Sequence, residues 1–452
     1  RIKCQGKTGI VSELSKPAKE ICPQLYDLTS LQRDANGRFG FSAKMTLGLA
    51  QALYERHKVL TYPRTDARAL PEDYISTVKD TLGEMKDSQY GLFASQILKS
   101  EWVKPNKRIF NNSKISDHFA IIPTSFKPKK LNEAEQKLYD LVTKRFLAIF
   151  YPAAEFLVTT RITRVENEPF RTEGKVMVNP GWQAVYGKEV RANGTDKDSA
   201  LVAVKQNESV QAEEIEVVAN QTRPPARFNE ATLLSAMESA GKLVEDEELR
   251  EAMSAKGLGT PATRASTIEG LVYENYLQRM GRELHPTAKA FSLIILLRGL
   301  KVPELTSPEL TGNWEFKLRQ IEQNKLERSS FMEEIANMTR HMVEQAKNHR
   351  GEAISGDFST LASPCPKCSG VVQETYKKFQ CEKCDFSLWK ILAGRQFEVT
   401  EMEELITKRE VGTLQGFRSR MGRLFNANIK LTDEYEMKFD FGVTNDESTE
   451  EE

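Results

Sequence analysis

Two passages of the chain hold residues whose types and spacing could do chemistry. In "LTYPRTD", Tyr62 precedes Pro63 and stands two residues from Arg64. Proline disfavours helical backbone at the residue before it and pushes Tyr62 toward an extended conformation, in which side chains two apart project to one side. A phenol of pKa about 10 is a weak nucleophile at neutral pH, but a guanidinium beside it can hold a phosphate and favour the charged attacking oxygen. Phosphoryl transfer through a phosphotyrosine is one reading. A tyrosine packed at a turn, with Arg64 paired to Asp66, is the other, and the local sequence leaves both open. In "CPKCSGVVQETYKKFQCEKC", Cys365, Cys368, Cys381 and Cys384 form two Cys-x-x-Cys pairs. That spacing fits a closed Cys4 zinc ribbon, with no open coordination position and so a structural Zn2+. Phe379, Phe386 and Trp389, set among Lys377, Lys378, Lys383 and Lys390, make either a stacking surface for a single strand or the ribbon's small core.

Helical periodicity surrounds the tyrosine. "LTSLQRDANGRF", "SAKMTLGLAQALYERHK" and "LNEAEQKLYDLVTKRFLAIF" space apolar residues three and four apart. Met45, Leu49 and Leu53 form the expected apolar stripe of the helix before Tyr62, and Pro71, Glu72 and Asp73 open the next one. Tyr62 therefore belongs to a connection. From Phe156 the period changes: "FLVTTRITRV", "FRTEGKVMVN", "ALVAVK" and "EEIEVVAN" predict a mostly β segment to about Asn220. Helices return from Asn229 to about His349, interrupted by "GLGTPATR" and by a small hairpin around Gly281. Beyond the cysteines, a β-like stretch runs from Gly412 to Asp440, followed by an acidic tail expected to be disordered.

"GLGTPATRA" has its own logic. Two glycines allow close backbone approach, Thr260 can cap, Pro261 suits the first helical position, and Thr263 and Arg264 follow in the first turn. A helix N-terminus of this kind suits an anion. "CQGKTG" is not a nucleotide loop, because the Walker pattern needs a glycine where Arg1 stands.

Composition sets the outer limits. The 452 residues are long enough for three or four domains. Lys plus Arg and Asp plus Glu both number 64, so any polyanion site must be local. Four of the six cysteines lie in the paired motif, which points to a reducing compartment rather than a disulfide scaffold. No apolar run approaches the roughly 20 residues of a membrane span, and the N-terminus reads as neither a signal peptide nor an initiator methionine.

The wider text resembles a known family. "LYDLTSLQRDANGRFGFSAKMTLGLAQALYERHKVLTYPRTDARALPEDY" is similar to the active-site region of type IA DNA topoisomerases, most closely the topoisomerase III branch. "SDHFAIIPT", "NPGWQAVYG", "TRPPARFNEATLLSAME", "GLGTPATRASTIEGLVYENYL" and "LHPT" agree in the same order, covering most of residues 20 to 300. The resemblance implies that Tyr62 cleaves one DNA strand and joins its 5′ phosphate, that Arg64 positions the scissile phosphate and that His118 lies near it. Arg223, Arg227, Thr263 and Arg264 become candidate DNA-binding residues. The implied fold is multidomain α+β: a toroidal core of helical domains and a β-rich arch, then the zinc ribbon and a cysteine-less ribbon-like repeat. Its expected divisions are an arch of residues 1–27 and 153–222, a helical domain 28–152, a helical DNA-binding domain 223–350, the ribbon 360–398, the repeat 399–442 and the tail 443–452. The implied partner is single-stranded DNA, with a helicase as a further candidate, in a monomeric, cytoplasmic, nucleoid-associated protein that needs no ATP and touches no membrane.

Two departures stand out. The family's N-terminal Toprim domain, whose acidic motifs handle Mg2+, is not recognisable in this text, and Ala290 stands where the family often has glycine. A catalytically inactive zinc-ribbon protein that binds single-stranded nucleic acid is therefore the competing expectation. A tyrosine recombinase or relaxase would need further catalytic arginines and histidines or a three-histidine metal site, and the five histidines are scattered.

Overall fold

The computed structural model describes residues 1–115, 117–187, 201–240, 257–300, 302–307, 309–348, 358–375, 377–419 and 423–441. The expected disordered tail, 443–452, lies outside them. The chain divides into two compact units, Arg1–Ala226 and Arg227–Glu452.

In the first unit, polar residues start helices where their side chains can take up free backbone N–H groups. Asp27 accepts from Ser30 N at 2.7 Å and opens α1 (Leu28–Phe39), which ends at Gly40 in the left-handed region. Ser42 accepts from Met45 N at 3.1 Å and opens α2 (Ala43–Glu55). Two shorter helices follow, α3 (Ile75–Glu84) and α4 (Gly91–Lys99). Asn132 and Glu135 form a reciprocal cap on α5 (Glu133–Ala148). The buried face of α2 differs from the expected stripe: Ala43, Thr46, Ala50 and Leu53 are buried, while Met45 is exposed. Small residues let α2 approach its neighbours closely, which rotates Met45 outward.

The β-rich part is an antiparallel sheet of β1 (Thr8–Glu20), β2 (Ala154–Val165), β3 (Glu168–Asn179) and β4 (Ser209–Gln211), in the order β3-β2-β1-β4. β2 and β3 turn through Glu166 and Asn167, both at positive φ, as a two-residue turn matched to strand twist requires. Residues 201–205 and 213–220, expected as strands, are not strands. β1 pairs with β4 only at Thr8–Ile10, so the fourth strand is limited to Ser209–Gln211.

The sheet and the helices meet in one core. Tyr26, Leu28, Phe146, Phe150, Ala154, Phe156, Trp182 and Tyr186 belong to a single buried cluster. Arg145 is at its centre, donating to the Gln24 carbonyl, the Tyr26 hydroxyl and Asp34 at 2.9 Å each and to the Tyr186 hydroxyl at 3.2 Å. Burial, the largest influence, pushes the Tyr26 and Tyr186 phenols above their ordinary range, so both stay neutral, and Tyr26 donates its hydrogen bond to Asp34. Gly181 closes the junction at positive φ, where an added Cβ would meet the Ala153 carbonyl oxygen at 2.3 Å. Arg145→Met should destabilise this unit by about 3–5 kcal/mol in urea unfolding, because Asp34 and the Gln24 carbonyl lose a buried partner.

The second unit begins with α6 (Glu230–Glu238) and α7 (Pro261–Tyr273). The hairpin of β5 (Leu277–Met280) and β6 (Glu283–Pro286) turns at Gly281, at positive φ, as expected. Three helices follow, α8 (Ala288–Gly299), α9 (Glu309–Glu322) and α10 (Arg328–Asn348). The cysteine region is a three-stranded sheet of β7 (Val372–Glu374), β8 (Lys378–Cys381) and β9 (Ser387–Trp389), succeeded by the two-residue strands β10 (Ile391–Leu392) and β11 (Arg395–Gln396). A helix that the sequence reading did not anticipate, α11 (Val399–Lys408), precedes the sheet of β12 (Glu410–Arg418), β13 (Leu424–Leu431) and β14 (Met437–Asp440). Val372, Phe379 and Phe386 share a buried cluster with Met402, Leu405, Phe417 and Ile429, so the cysteine region and the last sheet have one continuous core.

Candidate functional site

Tyr62 stands on a bend held from both sides. Before it, Thr61 N donates to the Ile122 carbonyl at 3.0 Å, and the Thr61 hydroxyl accepts from Ile122 N at 2.9 Å while donating to the Ala120 carbonyl at 3.0 Å. After it, the Thr65 carbonyl accepts from Leu28 N at 3.0 Å and the Thr65 hydroxyl donates to the His118 carbonyl at 2.9 Å. Arg68 adds a 2.7 Å ion pair to Asp27, the cap of α1. With Thr61 and Thr65 fixed and Pro63 buried between them, the chain presents Tyr62 half-buried and Arg64 exposed.

Three of the expected residues converge here. The rings of Tyr62 and His118 lie 4.2 Å apart between centroids. On the other side Tyr54 meets Tyr62 edge to face at 5.5 Å. Arg64 donates from Nη2 to the Gln51 side-chain oxygen at 2.9 Å, with the Gln51 amide assigned from this network. Gln51 and Tyr54 are three apart on α2, so one helix face steadies both the tyrosine and the arginine. The sequence reading missed this pair, although their spacing on the predicted helix was a usable signal. Arg64 thus contacts Gln51, a partner other than the Asp66 considered from the sequence.

A second set gathers at the start of α7. Gly257 and Gly259 both have positive φ, and a Cβ on Gly257 would meet the Met237 carbonyl oxygen at 2.4 Å. Thr260 N donates to the Thr263 hydroxyl at 2.9 Å, and Pro261 occupies the first turn. Thr263 is exposed, whereas Arg264 is only 3% exposed and its Nε donates to the Leu258 carbonyl at 3.1 Å. Arg264 therefore shapes the glycine loop. Arg227 in this unit and Arg223 in the first are exposed.

The four cysteine sulfurs lie within 4.8 Å of one another, with Cys365 to Cys384 at 3.6 Å and Cys368 to Cys381 at 3.4 Å. Tetrahedral Zn–S bonds of about 2.3 Å separate sulfurs by about 3.8 Å, so the cluster could hold zinc. Lys383 N donates to Cys381 Sγ at 3.3 Å, and that bond leads the influences that pull this thiol down to about 7, toward the metal-binding thiolate. Gly370 leaves room, since a Cβ there would lie 3.0 Å from Cys381 Sγ. Phe379 and Phe386 are core residues, and Lys390 is buried in an ion pair with Glu374. Trp389 is 54% exposed, with Lys378 Nζ 4.4 Å from its ring centroid. Among the described residues no other set of three or more histidine, cysteine or carboxylate donors gathers as closely as these four cysteines. No described helix is long and apolar enough to cross a membrane.

Comparison with known proteins gives the family. Residues 2–333 match the family described as DNA topoisomerase, and residues 383–442 match the C-terminal repeat of topoisomerase. DNA topoisomerase 3 of Bacillus subtilis (strain 168) is 42% identical over 378 residues, and that of Bacillus cereus (strain ATCC 14579) is 41% identical over 372; each alignment covers 80% of this chain and 50% of the relative. The chain thus spans about half the length of the curated relatives it matches. The fold is similar to full-length topoisomerase I from Thermotoga maritima, with a TM-score of 0.59 and 20% identity over 87% of this chain and 62% of that one. The matched residues and the level of identity place the chain in the DNA topoisomerase family, among the type IA, topoisomerase III-like proteins.

Proposed function

We propose that this chain supplies the nucleophile of a type IA DNA topoisomerase, which cuts one strand, passes another through the break and reseals it. The observation that carries the reading is the display of Tyr62 between the rings of His118 and Tyr54, on a bend fixed by Thr61 and Thr65, with Arg64 two residues on and held by Gln51 from the same helix as Tyr54. Tyr62 Oη bonds to the scissile phosphorus, the bond from phosphorus to the 3′ oxygen breaks, and the released 3′ hydroxyl takes up a proton as the phenol loses one. One phosphodiester replaces another, so resealing needs no ATP. Arg64 holds the phosphate with its planar fork, and His118 donates to a phosphate oxygen. Mg2+ would neutralise phosphate charge from a Toprim domain outside these residues.

Thr263, Arg227 and Arg223 grip backbone phosphates, with Arg264 holding the glycine loop behind Thr263. The Cys4 ribbon is a structural zinc site, and its surface Trp389 stacks on single-stranded DNA. The boundaries expected from the sequence, 1–27 with 153–222, 28–152, 223–350, 360–398 and 399–442, describe the working parts. The protein acts as a nucleoid-associated monomer in the cytoplasm, with a helicase that supplies single strands.

The test is label transfer. The full-length protein that contains this chain is incubated with Mg2+ and a single-stranded oligonucleotide labelled at either end, then denatured. A 3′ label should stay with the protein and a 5′ label should leave. Binding without capture of either label would overturn the catalytic reading and favour a zinc-ribbon protein that only binds single-stranded nucleic acid.

A further inference from the structure

The loop beyond the segment that pairs with Thr61 plays no part in the chemistry above. Residues 125–130, Ser-Phe-Lys-Pro-Lys-Lys, are all exposed, and Phe126 is 64% exposed. Thr124 ties the loop to the segment carrying Tyr62, its N donating to the Val59 carbonyl at 3.0 Å and its hydroxyl to the Lys58 carbonyl at 2.6 Å. Lys58, itself exposed, is four residues from Tyr62, a distance of at most about 13 Å at strand rise. The loop contains no carboxylate, and Lys127 has only an exposed partner, Glu84 at 3.6 Å, a pairing that contributes little. An exposed phenylalanine among lysines, tied to a nucleophile-bearing segment, combines the two features that hold a single strand: an aromatic face and closely spaced cations.

The loop also borders a cavity. Pro128 lines a cleft of about 520 Å³ with Gln89, Tyr90, Gln136, Tyr139 and Asp140. The Asp140 charge is met by the Tyr90 hydroxyl at 2.9 Å and by Lys144 at 2.8 Å, so this carboxylate is compensated within the fold. Ser88 and Lys137, the latter paired with Glu133 at 2.6 Å, complete a lining in which apolar surface prevails, and the open cleft has volume enough for one base.

We propose that the Phe126–Lys130 loop and its cleft form a second single-stranded DNA contact on the helical body that carries Tyr62. Lys127, Lys129 and Lys130 meet successive phosphates, Phe126 stacks on one base, and the cleft takes a base turned out of the strand. This rests on the reading that the chain acts on DNA.

Anisotropy of a labelled single-stranded oligonucleotide, followed across a salt series in the full-length protein carrying Tyr62→Phe, separates the two. Adding Lys129→Ala and Lys130→Ala should weaken binding about 10-fold at low salt and flatten the plot of log affinity against log salt by about 1.4, two phosphates at roughly 0.7 each. Adding Phe126→Ala instead should weaken binding about 10-fold with the slope unchanged. Photocrosslinking of an iodouracil-substituted strand to the otherwise unmutated protein should give an adduct within residues 124–140. Unchanged affinity and slope in both variants, with no adduct there, would overturn the loop contact even if Arg227→Ala weakened binding and so upheld the DNA reading. Failure of the DNA reading would appear separately, as no binding by the Tyr62→Phe protein with its loop intact.

Discussion

Tyr62→Phe is expected to lower strand cleavage by about 10⁴-fold or more while leaving single-strand affinity within a factor of about two. Phenylalanine keeps the ring and so keeps the edge contact with Tyr54 and the close approach to His118. Thr61 and Thr65 hold the bend through their own hydrogen bonds, which the change does not touch. Only the attacking oxygen is lost. Covalent capture on a labelled oligonucleotide measures the loss directly, and equal capture by both forms would show that another group is the nucleophile. Arg64→Lys gives the graded comparison: a point charge remains but the planar fork that spans Gln51 and a phosphate does not, so cleavage should fall about 10- to 100-fold.

Removing the ion from the cysteine cluster should have the largest structural effect. Metal-binding free energies of about 10–16 kcal/mol are folding free energy in small zinc modules. Here the module shares its core with α11 and the last sheet through Phe379, Phe386, Met402, Phe417 and Ile429, so the damage should not stop at the four thiols. Chelation, or Cys381→Ser, should open residues 358–441 to protease while Arg1–Ala226 stays resistant, and zinc content should fall from one ion per chain to none. A native protein with no bound zinc and four freely titrating thiols in this region would exclude the site.

Much of this was legible in the sequence where local chemistry decides the outcome. Asp27, Ser42 and Asn132 start helices because their side chains accept the first free N–H groups, and Gly281 turns a hairpin because it tolerates positive φ. Residues 201–205 and 213–220 could not be read correctly, since composition marks β-prone text but not which of its residues pair, and here only Ser209–Gln211 do. Arg264 illustrates the same limit at a candidate site: the motif located it at a helix start, but its Nε points to the Leu258 carbonyl. Tyr62 and His118 are 56 positions apart in sequence, and no local pattern brings their rings together; the pairing of Thr61 with Ile122 does. Gln51 and Tyr54 were within reach, because a helix that ends seven residues before a candidate nucleophile can fold back against it.

The junction around Arg145 gives the sheet a mechanical character. β1, β2 and β3 are 13, 12 and 12 residues long and reach about 40 Å at strand rise. One end, where Glu20 faces Ala154, is set in the same core as the helices; the other, where Gly9 faces Val165, is far from it. The arrangement is a lever arm welded to the body that holds Tyr62. A tilt of about 10° applied at the far end displaces the welded end by about 7 Å over that length. In the reaction proposed above, a tilt of that size is the movement that would carry Tyr62 away from the other side of a cut.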